Sequence, residues 1–236
     1  MSALQGRPLA VFDVDGTLVD SRESIHRAAV AGARAAGLPD PAYDEVRQVI
    51  GITLRPALAR LMPEPDEARL DAYVSGYQAA FRAMADAPGF KEPLYPGAEE
   101  LLHRLARDGW RLSMATGKSR AGVDRVLRAH GWGELFASTH CSDDGPGKPD
   151  PHMLRCAVDA AGATATRTVM IGDTSHDMAM ALALGARAQG VGWGFHTAEE
   201  VAASGAHHVA LTMGELEAEL NRGAASGFPE RGDSAA

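Results

Sequence analysis

Leu9 to Phe12 is an apolar run that ends on two carboxylates two residues apart, Asp13 and Asp15, and reads as a strand. Beyond it, Asp20-Ser21-Arg22-Glu23 predicts a capping box, with Asp20 as N-cap and Glu23 reaching back. The helix that follows places Ile25, Ala28, Ala29, Gly32 and Ala36 on one stripe and stops at Gly37. From there to Pro93 every pattern has the helical period. Its clearest member is the face formed by Leu70, Tyr73, Val74, Tyr77, Phe81 and Met84. Residues 20–93 are therefore read as a helical insert after the first strand, with Pro88-Gly89 and Pro93 marking the return.

From Tyr95 the pattern becomes strand, loop and helix in alternation, which predicts right-handed βαβ units on a parallel sheet. Pro96-Gly97 opens a helix bearing Ala98, Leu101, Leu102 and Leu105, which ends at Gly109. Arg111 to Ala115 is a strand, and the helix with Val123, Val126 and Leu127 stops at Gly131. Pro151 opens a helix with Met153, Leu154, Ala157 and Val158, closed by Gly162. Thr168 to Ile171 is a buried strand bounded by Gly172, and shorter strands follow at Ala188 to Val191 and Val209 to Leu211. Thr197 with Glu200 makes a second capping box. From Gly223 the composition turns to Gly, Ser, Ala and Asp, and residues 223–236 are expected to be a disordered tail.

A length of 236 residues suffices for a well-buried core. The net charge of −8 argues against a nucleic-acid or anionic-membrane surface and points to a small-molecule partner. Cys141 and Cys156 are too few for a disulfide framework. No apolar stretch in Met1 to Arg7 suits a signal peptide and no segment approaches a membrane span, so cytoplasmic residence is the default.

The chemistry lies where strands hand over to loops. Asp13 and Asp15 would face one side of a strand, and like charges buried together are stable only with a cation or a proton between them. Oxygen ligands suit Mg²⁺, and Gly16 lets the backbone turn sharply towards an anion. Thr116, followed by Gly117, places a hydroxyl at a strand end where it can donate to a phosphate oxygen. Lys148 sits on the stiff loop Gly147-Lys148-Pro149-Asp150-Pro151, placed to neutralise phosphate charge. Asp173 follows a strand directly, and Asp177 lies four residues on, so one helical turn brings both carboxylates towards one place. Taken singly, these patterns also suit a solvated acidic turn, an N-cap, a surface lysine and a helix cap.

In this order the four patterns resemble the motifs of the haloacid dehalogenase superfamily over nearly the whole chain, and most closely its phosphoglycolate phosphatases. The resemblance implies an α/β fold: a Rossmann-like parallel sheet with helices on both faces from 1–19 and 94–222, and a helical cap from 20–93. It implies a Mg²⁺-dependent phosphoric monoester hydrolase acting on a small phosphorylated metabolite, with 2-phosphoglycolate the leading candidate. Asp13 would be the nucleophile that forms an aspartyl-phosphate, and Asp15 the acid and later the base. Thr116 and Lys148 would hold the phosphoryl group, with the loop at Gly16, Thr17 and Gly117. Asp13, Asp173 and Asp177 would ligate the metal, Asp15 contributing only its backbone carbonyl. Gly51-Ile52-Thr53-Leu54-Arg55 falls where related caps carry a specificity loop, and Arg55 could fork onto a substrate anion. Haloacid dehalogenases lack an acid at the position of Asp15, because a halide leaves without a proton. A β-phosphoglucomutase or a pyrophosphatase would use the same motifs. A phosphoacceptor signalling domain and a silent binding protein are the alternatives from other classes.

Overall fold

In the computed structural model, which describes residues 7–64 and 66–226, strand β1 (Leu9–Phe12) is buried on both faces and lies near the middle of the sheet. To one side it pairs with β2 (Arg111–Ala115), which pairs in turn with β3 (Ser138–His140). To the other side lie β4 (Thr168–Gly172), β5 (Arg187–Val191) and β6 (His208–Ala210). All pairings are parallel, and the order is β3-β2-β1-β4-β5-β6. Chain order therefore reverses direction at β1, and the crevice at the carboxyl ends of β2, β1 and β4 is where such sheets bind ligands.

Alternation along β1 separates two cores. Ala10 and Phe12 join Leu101, Leu102 and Leu105 of α5 (Ala98–Arg107), Val123 and Val126 of α6 (Arg120–His130), and Leu216 and Leu220 of the last helix (Met213–Ser226). Leu9 and Val11 point the other way, onto Met153 and Leu154 of α7 (His152–Ala161), Met178 and Ala181 of α8 (Ser175–Leu184), and Val201 of α9 (Ala198–Ala203). The fold is thus an α/β sandwich with helices on both faces. Gly131 and Gly162 stop α6 and α7 in the left-handed conformation, and the Thr197–Glu200 capping box is present. Among the described residues no helix is long and apolar enough to cross a membrane.

Between β1 and α5 the described residues form four helices, α1 (Arg22–Ala35), α2 (Tyr43–Val49), α3 (Leu54–Arg60) and α4 (Glu67–Ala85), with a core of their own at Ala33, Leu58, Met62, Leu70 and Tyr73. The two crossings to this segment are tied together: Asp20 N–H donates to Pro93 O at 2.8 Å, and Tyr95 N–H to Leu18 O at 3.0 Å.

Two local expectations are corrected. The N-cap of α1 is Ser21, without a side-chain cap bond; Asp20 instead accepts from the Arg22 guanidinium at 2.7 and 2.5 Å, so the proposed capping box is absent. The final helix continues through Ser226, so a tail beginning at Gly223 starts too early, Gly223 being buried in that helix. The readings for Met1–Gly6 and for 227–236 lie outside the described residues.

Candidate active site

Asp13 follows the last residue of β1, with its amide bonded to Ile171 O of β4 at 2.9 Å. Asp173 follows β4 directly, and Asp177 is the third residue of α8. Thr174 caps that helix by receiving the Asp177 amide, while its own amide and hydroxyl donate to Asp177 Oδ2 at 3.1 and 2.7 Å. The three acids are buried, and each offers an oxygen within 4.8 Å of the others. Lys148, from the loop after β3, places Nζ 2.9 Å from Asp13 Oδ2 and 2.6 Å from Asp177 Oδ1.

Three buried carboxylates against one ammonium leave a deficit of two positive charges. Burial pushes the Asp13 carboxyl up to about 7, with Asp177 and Asp15 adding to the rise and Lys148 opposing it. Burial, then Asp13 and Asp177, likewise raises Asp173 well above the carboxylate range. Asp173 is nonetheless held firmly: Thr17 Oγ1 donates to Oδ1 at 2.7 Å and Phe195 N–H to Oδ2 at 2.8 Å. Preorganised acids without enough positive charge fit a divalent cation with oxygen ligands.

Asp15 is not part of this group. β1 ends at Phe12, so the two acids do not share one face of a strand; Asp13 meets Lys148, and Asp15 Oδ1 meets Lys118 Nζ at 2.7 Å. The Asp15 carboxylate thus pairs with a different lysine from the one that serves the three-carboxylate cluster. Thr116 is buried at the end of β2, its hydroxyl receiving the Lys118 amide at 3.3 Å. Gly117 abuts the carbonyls of Gly51 and Ile52, where any Cβ would meet them at 3.2 Å. The Gly16 backbone, at φ 79°, passes against the Asp173 carboxylate, and the Thr17 hydroxyl is bonded to that acid.

A cavity of about 290 Å³ opens onto Asp13 and Asp15 between the four-helix segment and the sheet. Its walls are mostly apolar, with Ile25, Val46, Ile52, Leu58, Tyr77 and Phe81 prominent. Gln78, Arg82, Lys118, Ser119 and Arg125 supply the polar part. Of the expected specificity loop, Gly51, Ile52 and Leu54 line the cavity. Arg55 does not: it is exposed, and its guanidinium pairs with Asp71 at 2.6 Å and Glu67 at 2.5 Å on α4. Arg55 lies on the outward side of α3, and two carboxylates answer the charge that was expected to meet a substrate. Trp193 donates to Thr17 O at 3.0 Å and so braces the loop after β1.

Sequence reasoning missed Lys118 and Glu92. The only signal for Lys118 was its place directly after Thr116-Gly117; Glu92 gave none beyond its position before Pro93.

Comparison with known proteins follows the same lines. The family model described as haloacid dehalogenase-like hydrolase matches residues 10–191. A Dickeya dadantii protein named as the probable phosphatase IndB is 35% identical over 214 residues, 89% of this chain and 92% of that one. A phosphoglycolate phosphatase of Agrobacterium fabrum is 31% identical over 193 residues, 80% and 82% of the two chains. A 5'-nucleotidase of Pseudomonas aeruginosa is 29% identical over 213 residues, 89% and 93%. A hydrolase of Pseudomonas syringae superposes with a TM-score of 0.79 at 24% identity, covering 92% of this chain and 99% of that one. The chain belongs to the haloacid dehalogenase-like hydrolases and is a phosphatase of that family.

Proposed function

We propose that the chain is a Mg²⁺-dependent phosphomonoesterase that hydrolyses a small organic phosphate in the cytoplasm through an aspartyl-phosphate on Asp13, with 2-phosphoglycolate the first substrate to test. The observation that carries this reading is the three-carboxylate cluster around one lysine, two positive charges short of balance. Asp13, Asp173, Asp177 and the Asp15 carbonyl would hold the cation, which when bound supplies positive charge to the phosphoryl oxygens. An Asp13 oxygen attacks phosphorus in line, while Lys148 and the Thr116 hydroxyl steady the phosphoryl group. Asp15 hands a proton to the departing alkoxide and then takes one from the water that cleaves the acyl-phosphate. Residues 20–93 act as the cap that shuts water out and frames the leaving group, with Arg55 outside that role.

Named phosphoglycolate phosphatases among the relatives support 2-phosphoglycolate. The mostly apolar walls of the cavity favour a second reading, an ester with a larger and less polar body, and the 5'-nucleotidase relative makes nucleoside monophosphates its first test. The experiment is phosphate release by purified protein with Mg²⁺ from 2-phosphoglycolate, sugar phosphates, nucleotides and pyrophosphate, without any sugar bisphosphate. Release that EDTA abolishes and Asp13→Asn lacks is expected. Undiminished turnover by Asp13→Asn removes Asp13 from its role, and a requirement for sugar bisphosphate would make the protein a mutase.

A further inference from the structure

We propose that Lys118 is a positioning residue that fixes the Asp15 carboxyl for proton transfer and ties that acid to the return linker of the cap. The inference rests on the phosphatase reading and goes beyond it, since Lys118 has no part in the four motifs.

Lys118 is buried in the loop between β2 and α6, and its ammonium touches three parts of the chain. Nζ lies 2.7 Å from Asp15 Oδ1, 3.1 Å from Glu92 Oε2 and 5.7 Å from the centroid of the Phe81 ring on α4. Among the described residues no other side chain pairs with the Asp15 carboxylate, so Lys118 is what sets its direction. The loop bearing Lys118 is itself held: its amide donates to Thr116 Oγ1 at 3.3 Å, and its carbonyl accepts from the amide and hydroxyl of Ser142, each at 3.0 Å. Burial works against the Lys118 charge, but Asp15 and Glu92 outweigh it and keep the group an ammonium.

Glu92 supplies the link to the cap. It lies in the return linker beside Pro93, and its second oxygen accepts from the Ser24 hydroxyl of α1 at 2.6 Å. Ser24, Glu92, Lys118 and Asp15 thus form one chain of polar contacts from the first cap helix to the acid. A lysine whose charge is already matched by two carboxylates is poorly placed to capture a substrate phosphate, a task that falls to Lys148. Its effect on the reaction passes through Asp15.

The test reads how rate depends on the leaving group, because an acid held out of position matters only when the leaving group needs a proton. Single-turnover release of the leaving group is measured for p-nitrophenyl phosphate, whose phenolate departs unaided, and for an alkyl phosphate, whose alkoxide does not. Lys118→Met is expected to slow release from the alkyl ester on the order of 10²-fold while changing p-nitrophenyl phosphate by no more than about threefold. Lys118→Gln, which keeps a donor, serves where Lys118→Met does not fold, and is expected to shift the two substrates unequally in the same sense. Equal losses on both esters, a rise in KM alone, or faster cleavage of the alkyl ester would overturn the assignment. If the unsubstituted protein cleaves neither ester, the phosphatase reading itself has failed.

Discussion

At Gly16 the backbone adopts φ 79°, and a Cβ there would strike the Asp173 carboxylate and the Phe195 ring. One residue thus combines a left-handed turn with close passage of a buried acid, and only glycine meets both demands. Gly16→Ala should cost about 1 kcal/mol or more of stability and displace Asp173. The expected readouts are a lowered Tm and weaker Mg²⁺ binding by calorimetry; unaltered metal affinity would show that the acid tolerates the shift. Asp13, Lys148, Asp173 and Asp177 were legible in the sequence because each stands at a fixed offset from a strand end or a proline-braced loop. Lys118 was not, since its burial depends on Glu92, 26 residues away. Arg55 misled for the same reason, its partners Glu67 and Asp71 being 12 and 16 residues further on. A lone basic residue shows its charge in the sequence but not what answers it.

Helices with apolar stripes and glycine stops were read correctly because periodicity and caps are local. β3 escaped: Ser138-Thr139-His140 is short, half-buried and on the sheet edge, so it carries no apolar run. Contacts between α2 and α9 were also invisible. Arg47 of α2 pairs with Glu200 of α9 at 2.8 Å and donates to Phe195 O at 3.3 Å, fastening the four-helix segment to the sheet segment. Hydrogen bonds from Arg47, then from the Thr197 amide, hold the Glu200 carboxyl down from 4.5 to about 2. A depressed carboxyl contributes stability above its unfolded value and loses it as the pH falls through the folded one. The contribution of this pair is therefore full above about 4.5 and fades towards about 2. Because the pair is only partly buried and stays open to solvent, its size is modest, about 0–1 kcal/mol. Arg47→Ala is expected to lower Tm slightly at neutral pH and to speed hydrogen exchange in α2. The difference in Tm from the unsubstituted protein should narrow as pH drops across that window; a difference that stays constant would separate the latch from Glu200 ionisation.

Strand order explains why motifs scattered through the sequence meet. With β1 between β2 and β4, the ends of neighbouring strands deliver Asp13, Thr116 and Asp173 to one crevice, and the loop after β3 brings Lys148 over it. The four helices between β1 and α5 then roof that crevice and leave a cavity of about 290 Å³ beside Asp13 and Asp15. Order of motifs and alternation of strands made this architecture readable, whereas the chemistry of the cavity wall depends on tertiary packing and was not. In the proposed mechanism the phosphoryl group passes through Asp13. Asp15→Asn removes the base that would hydrolyse the acyl-phosphate but leaves p-nitrophenyl phosphate able to react. The most direct measurement is acid-quenched mass spectrometry of that variant after exposure to p-nitrophenyl phosphate and Mg²⁺. One phosphoryl group per chain, mapped to Asp13, is the predicted result; a phosphoryl group on another residue, or none while phenolate is released, would contradict it.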